Sequence, residues 1–395
     1  MTTDLQAEQA ALLEDALFQV KRVIVGQDRM IERTFICLLA GGHCLIEGVP
    51  GLAKTLMVST LAKVVGGDFS RIQFTPDLVP ADITGTRIWR PSREEFDIEW
   101  GPVFANIVLA DEINRAPAKV QAALLEVMAE GHVSIGGAVR SVAEPFLVLA
   151  TQNPIESEGV YSLPEAQRDR FLMQVMVEHP SYVEEMEIAR RMLAGRPEVE
   201  QVLDLGQLSV LQHAAEEVFV HHAVADYAVR LVMATREPAR WGLPELVPHI
   251  ELGASPRATL GLLSAGRALA LLRGRRFVVP TDVRDVAPEV LRHRILLSYD
   301  ALAAGTGVEE IVAQVLNRVE EPRIAPQQDE AARAAIYAAP AEPPLPSPTG
   351  AATTGGPERA PTGWALPWRT ERVRANGRDD DDWRVGESPG APGAA

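Results

Sequence analysis

The segment "HCLIEGVPGLAKTLMVSTLAKVV", residues 43–65, constrains this chain more than any other. A short apolar strand runs directly into a glycine-rich loop, and the loop runs directly into an apolar helix. Backbone N–H groups at such a helix start converge on a concavity that suits an anion. Lys54 would reach the β- and γ-phosphates of a nucleoside triphosphate, and the Thr55 hydroxyl would bind Mg²⁺. The positions Gly48, Val49, Pro50, Gly51, Leu52, Ala53, Lys54 and Thr55 follow the G-x-x-x-x-G-K-[ST] pattern, except that Ala53 replaces the second glycine. Alanine adds one methyl group, which an extended helix start would accommodate. Taken alone, so imperfect a loop also fits a glycine-rich turn into an ordinary helix.

Two further apolar strands supply what a phosphate site needs. In "IVLADEIN" the strand ends by delivering Asp111 and Glu112. Open parallel sheets bind ligands at the carboxyl ends of their strands. Asp111 is placed there to order a Mg²⁺ shell, and Glu112 to polarise an attacking water. The alternative is a solvated strand exit. In "FLVLATQNP" the strand ends at Asn153, whose amide could hold that water or a γ-phosphate oxygen. Asn before Pro is also a common turn signal.

Around these strands the periodicities alternate. Helical spacing runs through Leu5–Val20, Met30–Ala40 and Ala118–Glu130, and "RIQF" reads as another strand. Strands separated by helices predict a parallel sheet covered on both faces. Thr86–Val103 reads as a strand-rich insert and "HVSIGGAVRSV" as a hairpin turning at Gly136-Gly137. Strand signals fade after Pro180, so residues 181–335 are expected to form an all-helical domain after an α/β domain at 1–180. Residues 336–395 are rich in Pro, Gly, Ala, Ser and Thr, the composition of a disordered tail. Trp364, Trp368 and Trp383 in that tail are either inert or part of a short docking motif.

Hydrophobic residues make up 47% of the 395, enough for a sizeable core, and the net charge of −16 argues against a nucleic-acid backbone as main partner. No apolar run is long enough to span a membrane and no secretory leader is evident, so the cytoplasm is expected. Cys37 and Cys44 are expected to be buried as small hydrophobes. His43, His132 and His249 lack metal-ligand spacing, and "LRGRR" (272–276) reads as a solvated helix end.

The ordered set "IVGQ" (24–27), "GVPGLAKT", "ADITG" (81–85), "GPVFANIVLADEINRA", "LATQNPIESEGVYSLPEAQRDRF" and "GASPRAT" resembles the MoxR family of AAA+ ATPases, of the helix-2-insert clade, over roughly residues 20–320. The resemblance implies a P-loop AAA+ sheet followed by an all-α lid, ATP and Mg²⁺ as cofactors, and assembly into a homo-oligomeric ring, expected to be hexameric. Alanine before the lysine is normal in that family, which implies a working loop. Asn153 would be sensor 1, and Arg257 would be sensor 2, reaching the γ-phosphate from the lid. Arg170 would be the arginine finger for a neighbouring subunit, with Arg168 as the alternative. Val25 and Gly26 would lie against the adenine. Both inserts would face a central pore, although Trp89, Phe96 and Trp100 are expected to be packing residues. The implied activity is ATP-driven remodelling of a client, with a von Willebrand factor A domain protein as the expected partner. A magnesium-chelatase-type subunit, a nucleic-acid motor and a nucleotide-gated scaffold are the competing readings.

Overall fold

Successive residues of a strand face opposite sides of a sheet, so a strand covered on both sides must be apolar throughout. The computed structural model, which describes residues 2–154, 160–195 and 197–323, is built around strands of that kind. The expected disordered tail and its three tryptophans lie outside the described residues, as does all of "IESEG" (155–159).

Helices α1 (Thr2–Val23) and α2 (Asp28–Leu39) precede strand β1 (Cys44–Glu47) and helix α3 (Lys54–Val64). Strand β2 (Phe69–Gln73) and short α4 (Pro80–Thr84) lead into a hairpin, β3 (Gly85–Arg90) and β4 (Glu95–Trp100). Strand β5 (Ile107–Asp111), α5 (Ala118–Glu130), a second hairpin of β6 (His132–Ile135) and β7 (Ala138–Ser141), β8 (Leu147–Gln152), α6 (Glu165–Arg168) and β9 (Met173–Met176) complete this part. The main sheet has the order β2-β5-β8-β1-β9 with every pairing parallel. Both inserts are antiparallel hairpins; the sequence predicts the second as a hairpin and the first only as strand-rich. Edge strand β9 was not anticipated, because no turn residue separates it from the preceding "QRDRF".

The remaining elements are α7 (Tyr182–Ala194), α8 (Leu205–Glu216), α9 (His222–Arg236), β10 (Ile250–Leu252), α10 (Pro256–Leu272), α11 (Pro280–Leu291), β11 (Leu296–Leu297), α12 (Tyr299–Ala304) and α13 (Val308–Arg318). This region is helical apart from the small antiparallel pair β10–β11. Among the described residues no helix is long and apolar enough to cross a membrane.

The sheet divides the interior into two apolar clusters. Ile107, Leu109, Leu147 and Leu149 face one side, with α1–α3 and the helices after residue 200. Val108, Ala110, Val148 and Ala150 face the other, against α5 and the base of the inserts. Cys37 and Cys44 are fully buried in the first cluster and unpaired by disulfide. His43 is also buried. It accepts from Val148 N and approaches the Met128 carbonyl, and burial holds its pKa down to about 4, so the ring stays neutral.

Charged residues tie the terminal helices together. Arg33 on α2 is 1% exposed; its Nη2 donates to Asp285 Oδ1 at 2.7 Å, and its Nε lies 3.4 Å from the equally buried Glu289. Arg29 Nε donates to the other Glu289 oxygen at 2.5 Å. Two of the three "LRGRR" arginines, Arg273 and Arg275, are ion-paired rather than simply solvated, while Arg276 is exposed. Arg275 grips the buried Asp282 through both terminal nitrogens, at 2.6 and 2.7 Å, and Arg273 also reaches it at 3.1 Å. The reversal follows from α11, whose fully buried Asp282 carboxylate would otherwise have the Val279 N–H but no cation beside it.

Removing one partner of a buried ion cluster strands the other, at a cost of about 3–5 kcal/mol. Arg33→Met is therefore expected to lower the urea-unfolding free energy by about that much, and adding Glu289→Met should restore part of the loss. A loss below about 1 kcal/mol would mean the cluster carries no such weight.

Candidate functional site

At the carboxyl edge of the sheet, β5, β8 and β1 lie side by side, so Asp111, Asn153 and Gly48 emerge as neighbours. Asp111 and Asn153 meet at a cavity of about 410 Å³, and Gly48 leads into the loop that lines it. The glycine loop from Pro50 to Thr55 forms one wall, and Asp111, Glu112 and Thr151–Asn153 form the other. Gly51 sits at φ +89°, a conformation glycine adopts freely, and a side chain at Gly48 would collide with the Val177 carbonyl at 2.8 Å.

Ala53 is not in the extended conformation that its sequence context suggests. It takes φ 58° and ψ 20°, in the left-handed region, immediately before α3. The missing glycine is thus accommodated by strain, since left-handed backbone costs an L-residue roughly 1–2 kcal/mol. Glu112 is also left-handed, at φ 58° and ψ 48°. Among the described residues Glu94 is the third non-glycine residue with positive φ, and it lies in the β3–β4 turn. Strain of this kind collects at functional sites because surrounding contacts over-determine the backbone there.

Those contacts are visible around the carboxylates. The Thr151 hydroxyl donates to Asp111 Oδ1 at 2.6 Å and accepts from Glu112 N at 2.8 Å, fixing both residues from β8. Arg71 on β2 donates to Asp111 Oδ2 through Nη2 at 2.7 Å and Nε at 3.1 Å. Gln73 donates to Glu112 Oε2 at 2.8 Å, and Arg115 Nε lies 3.2 Å from the same oxygen. Thr151, Arg71 and Gln73 were not singled out from sequence. A partial signal existed in "RIQF", where Arg71 and Gln73 alternate with apolar residues and so share one face.

Lys54 turns back to donate to the Gly48 carbonyl. Burial pushes its pKa down, opposed by Asp111, Glu112 and Glu47. Thr55 and Asp111 offer hard oxygens beside this ammonium. Mg²⁺ that arrives with phosphates needs only one or two protein carboxylates, so the donor set fits that ion.

Gly48 and Val49 begin the loop but do not line the cavity, and four further expected site residues lie elsewhere. Val25 and Gly26 are half-buried and do not line the cavity; Gly26 lies against the Glu184 side chain. Arg170 is exposed, and its Nη1 donates to the Leu125 carbonyl at 3.2 Å. Arg257 is 3.8 Å from Asp169 and also lies off the cavity. Its helix starts where "GASPR" dictates: Ser255 caps α10 by accepting from Arg257 N, and Pro256 occupies the first turn. Ser255 also donates to Asp169 at 2.8 Å, and Arg294 Nε donates to the other Asp169 oxygen at 2.8 Å. Asp169 thereby anchors the turn that carries Arg168 and Arg170.

The hairpins correct a further expectation. Trp89 and Phe96 pack edge-to-face on each other but remain 50% and 56% exposed, so they are surface aromatics. Trp100 does pack: the Arg140 guanidinium lies 5.2 Å from its ring and 4.6 Å from that of Phe104, joining the two inserts.

Residues 43–173 match the family described as "ATPase family associated with various cellular activities (AAA)", and residues 247–315 match the AAA lid domain. The chain is 57% identical over 335 residues to the chaperone MoxR1 of Mycobacterium tuberculosis, covering 84% of this chain and 89% of that one. It is 42% identical to the protein YeaC of Bacillus subtilis, covering 79% and 95%. A crystal structure from Cytophaga hutchinsonii superposes with a TM-score of 0.76 at 42% identity, covering 80% and 97%.

Glycine relieves left-handed strain, although its freer unfolded chain offsets part of the gain. Ala53→Gly is therefore expected to raise unfolding free energy by up to about 1 kcal/mol, with nucleotide affinity unchanged by calorimetry. A destabilised Ala53→Gly protein would contradict the left-handed assignment.

Proposed function

The chain belongs to the MoxR family of AAA+ ATPases, and from that premise we propose that it hydrolyses ATP at the 410 Å³ cavity to remodel a client protein. One observation carries this reading: the phosphate loop, the Asp111–Glu112 pair and Asn153 converge on a single cavity from three adjacent strands. Loop N–H groups and Lys54 bind the phosphates. Thr55 and Asp111 hold Mg²⁺, which neutralises charge on the phosphates when bound. Glu112 orients and polarises the attacking water, with Asn153 positioning it from β8. Gln73 and the Thr151 hydroxyl hold Glu112 in place for that task.

Arg170 and Arg257 act on the neighbouring subunit's ATP. Support for this comes from their shared surface: both flank Asp169 and neither lines the chain's own cavity. Arg170 is preferred to Arg168 as the finger because Arg168 is largely covered, with its Nε buried. AAA+ proteins typically assemble into rings, and a hexamer would give every cavity a neighbour. Val25 and Gly26 are assigned to the adenine on the resemblance alone.

The client is proposed to be a protein with a von Willebrand factor A domain. The exposed Trp89 and Phe96 on the first hairpin offer a surface for it. A net charge of −16 disfavours a nucleic-acid track.

Lys54→Ala is expected to abolish ATP binding, whereas Glu112→Gln should bind ATP and lose turnover in a phosphate-release assay. Near-normal turnover by Glu112→Gln would remove it as the catalytic glutamate. Affinity purification with Glu112→Gln in ATP should enrich the client over the Lys54→Ala control. Recovery of no protein that depends on nucleotide state would sink the remodelling reading.

A trans-acting finger is worth about 10³–10⁵ in rate in related phosphoryl-transfer systems. Arg170→Ala and Arg257→Ala should each bind ATP normally and hydrolyse it poorly. Each should regain activity when mixed with Glu112→Gln subunits, whose arginines then serve the intact cavities. If Arg257→Ala alone resisted rescue, with mixed rings confirmed, Arg257 would act within its own subunit.

A further inference from the structure

Among the described charged residues of the cavity, Lys54, Arg71, Asp111 and Glu112, Arg71 is the one that the hydrolysis scheme above leaves without a task. It lies on β2, the edge strand next to β5, and the register sets Gln73 opposite Asp111. Arg71, two residues earlier on the same face, therefore leans along the strand toward the Asp111 carboxylate. Both Nη2 and Nε converge on Oδ2, at 2.7 and 3.1 Å. Thr151 occupies the other oxygen at 2.6 Å. Both oxygens of the carboxylate assigned to Mg²⁺ thus already have donors.

The two partners differ in freedom. The Asp111 side chain is 12% exposed and is held by the Thr151 hydroxyl, whereas Arg71 is 49% exposed and borders the cavity. A dication brought to Asp111 repels a guanidinium within a few ångströms of it, and the half-exposed arginine is the group able to yield. Its alternative partner is at hand, since Nη2 already donates to Gln73 Oε1 at 2.8 Å.

We propose that Arg71 and Mg²⁺ compete for Asp111, so that Arg71 sets the Mg²⁺ concentration at which the site takes up nucleotide. The inference rests on the reading of this cavity as the ATP site. Arg71 is a positioning residue in this scheme: it acts through Asp111 and tunes the metal requirement of binding.

The test is binding of a fluorescent ADP to the full chain during a Mg²⁺ titration; ADP separates binding from hydrolysis. Arg71→Gln should reach half-maximal binding at about threefold to tenfold less Mg²⁺ than wild type, the range expected for releasing a half-exposed, charge-assisted pair. Arg71→Lys, which keeps the cation, should stay near wild type and controls for misfolding. On an Asp111→Asn background, Arg71→Gln should no longer shift the midpoint. In EDTA, wild type and Arg71→Gln should bind ADP equally. An unshifted or higher midpoint in Arg71→Gln, with ADP still bound, overturns this inference alone. Weaker ADP binding by Arg71→Gln in EDTA also overturns it, by making Arg71 a phosphate ligand. A wild-type chain that binds no ADP at any Mg²⁺ concentration overturns the ATP-site reading and this inference with it.

Discussion

A strand buried on both faces can present polar groups only at its ends, and that constraint organises the whole protein. All five residues of β5 are buried. Its first polar side chain, Asp111, comes at the carboxyl end, where β8 and β1 also finish. The chemistry is confined to one edge because the sheet interior can hold none. Thr151 makes the edge specific: one hydroxyl joins the Asp111 carboxylate to the Glu112 amide, so metal and water groups are set relative to each other by a single side chain of the next strand.

What could be read in advance divides along the same line. Elements defined by local pattern were legible: α5 spans Ala118–Glu130 as its periodicity indicates, the second hairpin turns at Gly136-Gly137 as expected, and the phosphate loop sits between strand and helix. Asp111, Glu112 and Asn153 were legible because each ends an apolar run. Arg71, Gln73 and Thr151 were not, because their roles exist only through the register of β2 on β5 and β5 on β8. Nothing within "RIQF" or "ATQN" states which carboxylate lies opposite.

Two misreadings share a physical cause. Ala53 was assigned a relaxed backbone because a methyl group is small, but the difficulty is torsional, and φ 58° strains any residue with a Cβ. The arginines of "LRGRR" look solvated when read within their own helix end. The partners of Arg273 and Arg275, Asp282 and Asp285, belong to the next helix and are brought against them by the fold. In both cases composition was right about the residue and silent about its surroundings.

The cluster around Arg33 also bears on how the chain is made. Its partners Asp285 and Glu289 lie on α11, and the α2–α11 hydrogen bonds close over 252 and 260 residues of sequence. Glu32 pairs with Arg33 from within α2, but α2 leaves the ribosome long before its α11 partners exist. Contacts of such sequence separation form late, and exposed segments waiting for them are prone to misassociation. The nucleotide-binding half is translated first, yet its opening helices cannot be sealed until the last helices emerge. For most of its synthesis the chain therefore carries Arg29 and Arg33 without the α11 carboxylates that pair with them in the fold.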